Sequence, residues 1–197
     1  MSADRAALVR RGLLLNYATL GYNVLEAVVA IVAGIMAGSI ALLGFGLDSV
    51  VEVTSSLAAQ WRLRTDVHVG RRVRAERISL RTIKLSFLAL AAYVAYESVR
   101  TLWFREVPAP STVGLAILTL SVIVMPLLAR QKRKVALQLT SKALEADAKQ
   151  TSLCAHLSII ALAGVALNAA FGWWWADPIA ALAMVPIIVI EGMEGVR

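Results

Sequence analysis

Asp48 and Glu52 stand four residues apart in a stretch, residues 39–62, that carries no other charge before Arg62. On a helix this spacing puts both carboxylates on one face, about one turn apart. Two negative charges so close in a low dielectric repel, and a bound cation or a proton relieves the repulsion. The pair therefore reads as a cation trap for which metal and proton compete. The alternative is a pair satisfied by hydrogen bonds or by a partner cation, and this segment offers no Lys or Arg at that depth.

A second set of donors follows later in the chain. Asp147, Gln150 and Cys154 fall at i, i+3 and i+7, a single helical stripe able to face Asp48 and Glu52 across a bundle. A thiolate favours zinc, cadmium or copper(I) over calcium and magnesium. A lone cysteine in an apolar helix is commonly just a small hydrophobe, so Cys154 gains its meaning from the stripe. His156, two residues on, turns roughly 200° away from the stripe and is left out of the site. His68, in a basic connection, is expected to be solvated. Glu26, Glu97 and Asp147 are further candidates, as additional metal donors or proton relays. Each lies in an apolar segment, where an ionisable group costs roughly 2.5–3.5 kcal/mol and so points to function.

The elements that must position these groups follow from hydropathy. Of 197 residues 59% are hydrophobic, and the mean hydropathy is +0.72, well above a soluble domain. Six segments have the roughly 20 apolar residues that span a bilayer: 12–35, 39–62, 78–104, 110–130, 143–171 and 175–191. The expected fold is an all-α membrane protein of six transmembrane helices, one domain over 1–197 with no C-terminal cytoplasmic domain. The first segment is too long for a signal peptide and is interrupted by Asn16, Asn23 and Glu26, so it reads as a retained helix.

Lys and Arg collect on the cytoplasmic side of membrane proteins. Arg5, Arg10 and Arg11 precede the first segment; Arg62, Arg64, Arg71, Arg72, Arg74 and Arg77 join the second to the third; Arg130, Lys132, Arg133, Lys134 and Lys142 join the fourth to the fifth. The other connections carry only Arg105, offset by Glu106. Both termini are thus expected in the cytoplasm, in a membrane of bacterial plasma-membrane type. This topology accounts for the net charge of +7 without a nucleic-acid partner, since no aromatic residues interleave with the basic ones. Trp173, Trp174 and Trp175 suit an interfacial aromatic belt. Gly34 and Gly38 form a small-x-x-x-small pair that permits close helix contact. The single cysteine excludes an internal disulfide.

Taken together, Asn23, Glu26, AGSIA at 37–41, GFGLDS at 44–49, Glu52, Ser55, Ser56, Trp61 and Arg62 resemble the cation diffusion facilitators. The likeness continues through Tyr96, Glu97 and Ser98, Ala146 to Ala148, and WADP at 175–178. It implies a homodimeric transporter, not an enzyme, with six helices per subunit. Such a protein exports zinc or a related divalent ion in exchange for protons by alternating access. It also implies that Asp48, Glu52, Gln150 and Cys154 hold the ion. No prosthetic group is expected; the metal is cargo. Gln150 and Cys154 depart from the family's usual His or Asp followed by Asp, so zinc leads while iron(II), cobalt(II), manganese(II) and cadmium(II) stay open. A non-transporting metal sensor or assembly partner, and a passive cation channel, are the rival readings.

Overall fold

The computed structural model describes residues 3–64, 69–139 and 142–194. Within these, the backbone alone is described for 3–7, 9, 55, 58–64, 69–80, 82–83, 139, 142–144, 146 and 194. His68 therefore lies outside the described residues, as do the side chains of Ser55, Trp61, Ala146, Lys142 and the Arg62 to Arg77 cations.

Six helices follow one another: α1 (Ala3–Ala37), α2 (Ile40–Arg64), α3 (Val69–Phe104), α4 (Thr112–Leu139), α5 (Lys142–Phe171) and α6 (Ala176–Glu194). Four of them, α1, α4, α5 and α6, are long and apolar enough to cross a membrane by length and composition. Each predicted segment overlaps one helix, but the basic connections are shorter than the charge pattern suggests. Residues 71–77 lie inside α3 and 130–134 inside α4. Arg and Lys are good helix formers, so a run of cations continues a helix past the apolar stretch instead of ending it. The correction matters for Lys132, which sits on a helix and not in a loop.

Local chemistry explains the tight turns at the end of the bundle that carries the tryptophans. Gly38 closes α1 with φ +64, the left-handed conformation that glycine adopts at least cost. Its N–H donates to the Ile35 carbonyl and that of Ser39 to the Gly34 carbonyl, the paired bonds of a Schellman motif. Ser39 then caps α2, its Oγ accepting from the Leu42 N–H at 3.2 Å. Gly34 and Gly38 thus do different things. Gly38 makes the turn, whereas a Cβ on Gly34 would stand 2.9 Å from the Leu43 nitrogen, so Gly34 lets α1 and α2 touch backbone to backbone. Trp173 and Trp175 stack at 5.3 Å beside the α5–α6 turn and are exposed.

α2 sits at the hub, packed on α1, α3, α5 and α6, while α4 clasps α1 and α5. One interaction locks this hub at the tryptophan end. Asp177, fully buried at the start of α6, accepts from Ser39 Oγ, from Ile40 N at 2.8 Å and from Ala41 N at 3.3 Å. A carboxylate from α6 thereby satisfies the orphan N–H groups of α2 and meets the positive end of its dipole.

Asp177→Ala strips three donors of their buried acceptor and is expected to cost at least about 2 kcal/mol, each orphaned group costing roughly 1–3 kcal/mol. A lowered thermal midpoint in detergent, followed by circular dichroism, is the readout; an unchanged midpoint would show that water replaces the carboxylate.

Candidate metal centre

Counting from Ile40 at about 1.5 Å per residue, Asp48 and Glu52 lie roughly 12 and 18 Å along α2. That is near the middle of this 25-residue helix. Both are buried, at 5% and 3% exposure. The hub position of α2 puts their face against α5 and α6. A cavity of about 10 Å³ opens there, close to the minimum for one water. Asp48 and Glu52 line it from α2, Gln150 and Cys154 from α5, and Glu191 from α6; Phe87, Leu157, Ile187 and Ile188 are among the apolar residues that complete its wall.

The structure thus brings the four expected donors around one space and adds a fifth. Glu191 had no signal in the sequence beyond its place at the end of the last apolar segment. Its carboxylate acts electrostatically on Asp48, as does that of Glu52. Among the described residues, no three His, Cys, Asp or Glu side chains stand close enough together to hold one metal ion. Gathering these donors onto an ion therefore requires movement of side chains or helices from the arrangement described.

Glu26 lies next to this cavity, fully buried on α1. It accepts from Ser49 Oγ of α2 at 2.7 Å, from Ser121 Oγ of α4, and from Cys154 Sγ of α5 at 3.8 Å. Tyr22 joins through Ser121 at 2.9 Å. One carboxylate so gathers hydrogens from three other helices, and its link to Cys154 connects it with the α5 donors. Asn23, about one turn earlier on the same buried side of α1, lies within electrostatic reach of Glu52.

Asp147 does not reach the cavity. Its carboxylate pairs with Lys132 Nζ of α4 at 2.7 Å. Lys132 is only 1% exposed and also donates to Thr151 Oγ1 at 3.2 Å, which in turn stands 3.4 Å from Glu52 Oε1. The partner cation missing from α2 thus comes from α4. Lys132 and Thr151 are, with Glu191, the residues that sequence reasoning missed, Lys132 because a cation count assigns it to a connection. Glu97 lies elsewhere, near the far end of α3, paired with Arg100 at 3.1 Å. His156 is exposed, as its helical angle predicts; its Nδ1 bonds the Ser152 carbonyl at 2.7 Å, and it borders an open groove between α4 and α5.

Cys154, the only thiol, is 2% exposed. Thiol chemistry depends on access, so N-ethylmaleimide is expected to label the folded protein in membranes at least about tenfold more slowly than after denaturation in dodecyl sulfate. Equal rates would place the thiol on an open surface.

Comparison with known proteins bears on this geometry. No curated protein matches the chain. A family model does, the cation efflux transmembrane domain, over residues 17–197. The match includes all five groups that line the cavity, together with Glu26, Lys132 and Thr151. With apolar helices of membrane-spanning length, it makes the chain an integral membrane protein, a cation transporter of the cation diffusion facilitator kind. The chain belongs to the cation efflux family.

Proposed function

We propose that this protein carries a divalent transition-metal ion, zinc foremost, out of the cytoplasm in exchange for protons. The observation that carries this reading is the cavity at mid-bundle where carboxylates, an amide and a thiol from three helices converge. Oxygen donors alone suit magnesium or calcium, whereas adding sulfur shifts the preference toward zinc and its neighbours.

In this reading all six helices cross the bilayer as one domain, with both termini on the cytoplasmic side and the tryptophan end outside. Metal enters from the basic end. Asp48 and Glu52 supply the negative charge, Gln150 its side-chain oxygen and Cys154 its sulfur, while Glu191 stands ready as a fifth donor. Because these donors surround a space no larger than a water, ion capture draws α5 and α6 toward α2, and release follows when they part on the other side. That is alternating access. Protons replace the metal on the carboxylates during the return, so the buried acids are never left uncompensated in lipid. Glu26, hydrogen-bonded to Cys154, is the natural acceptor or donor for the thiol proton that must leave when sulfur ligates. Two copies assemble as a homodimer.

Zinc uptake into proteoliposomes with an imposed pH gradient tests the reading. Asp48→Ala and Glu52→Ala are each expected to lower uptake at least about tenfold, since even residues that merely support a metal's ligands cost about 10–100-fold. Cys154→Asp is expected to shift competition from cadmium and zinc toward manganese. Undiminished uptake in both alanine variants rejects the site. Zinc binding without flux points instead to a sensor, and uptake indifferent to the pH gradient points to a channel.

A further inference from the structure

A fully buried lysine is rare unless paired, and Lys132 is paired in an unusual place. Its ammonium holds the Asp147 carboxylate at 2.7 Å and the Thr151 hydroxyl at 3.2 Å. Both partners lie on the α5 stripe that goes on to Cys154, at successive helical turns. Thr151 in turn faces Glu52 at 3.4 Å. The ammonium touches the hydroxyl that faces Glu52, and the Asp147 side chain is the more exposed member of the pair, at 22% against 1%, so the two charges do not cancel as seen from the cavity. A fixed positive charge therefore stands behind one of the two acids of α2 and at the same time fastens α5 to α4.

We infer that Lys132 is a positioning residue and resident countercation. It holds the donor stripe of α5 in register with α2 and weakens the attraction of Glu52 for a mobile ion. Without it, two or three carboxylates would meet a divalent cation undiminished, and tight capture would delay release. With it, the site binds less tightly and turns over faster. This rests on Asp48 and Glu52 being the transport site.

The test is initial-rate zinc uptake in proteoliposomes for wild type, Lys132→Gln, Lys132→Arg and the doubly neutral Lys132→Gln/Asp147→Asn. Removing a unit charge near a divalent ion is expected to lower KM at least about fivefold in Lys132→Gln, with maximal rate falling. Lys132→Arg keeps KM within about twofold of wild type, because it keeps the charge. A merely structural role predicts the opposite sign, a raised KM as the stripe loosens. Should Lys132→Gln fail to assemble, the double variant leaves no orphan carboxylate and is expected to show a smaller drop in KM. A KM unchanged or raised in the single and the double variant overturns the inference. Asp48→Ala, run alongside, separates the two failures: if it abolishes uptake while Lys132→Gln leaves KM unmoved, the inference falls and the site reading stands, whereas undiminished uptake in Asp48→Ala removes the premise.

Discussion

A carboxylate inside an apolar bundle has to be matched by hydrogen-bond donors or by positive charge, and this constraint organises the whole molecule. Glu26 is matched by hydroxyls from α2 and α4 and by a thiol from α5. Asp177 is matched by the first N–H groups of α2. Glu52 meets Asn23 from α1 and, through Thr151, the ammonium of Lys132. Each solution reaches across to at least one other helix, so the acids serve as the fasteners that fix which helices neighbour which. Asp48 differs. It faces the cavity in the company of like charges, Glu52 and Glu191, and so is the acid whose balance depends most on what enters.

Much of this was legible in the residues. Apolar runs of about 20 residues locate the helices, because lipid permits few alternatives to a helix. The i, i+4 spacing of Asp48 and Glu52, and of Gln150 and Cys154, survives folding because 3.6 residues per turn is local geometry. His156 could be excluded by the same argument, and it is exposed. Gly34 shows the limit of the method: a small residue predicts close approach, but only the fold says that the neighbour is Leu43.

What stayed hidden depended on contacts between helices distant in sequence. Lys132 looks like one of four cations within residues 130–134, and loop charges average over such runs. Only the continuation of α4 to Leu139 turns that one side chain inward while Arg133 and Lys134 remain exposed. Glu97 shows the converse, since its place in an apolar helix suggests a site and Arg100, one turn on, satisfies it locally. Asp147 belongs to the donor stripe by angle, yet Lys132 occupies it. Helical periodicity says which face a residue is on, and charge matching across helices decides what it does there.

Thr151 is where the two kinds of information meet. A hydroxyl has one hydrogen and two lone pairs. Lys132 takes a lone pair at 3.2 Å, and the hydrogen has two acceptors within reach, the Asp147 carbonyl at 3.0 Å and Glu52 Oε1 at 3.4 Å. It can serve only one at a time. Turned to the carbonyl, it withdraws from that oxygen of Glu52; turned to Glu52, it stabilises the carboxylate. A rotation about one side-chain bond, held in place by a buried ammonium, therefore couples the acid on α2 to the backbone of α5. In the proposed transport cycle, such a coupling lets a change at the acid of α2 be felt on α5.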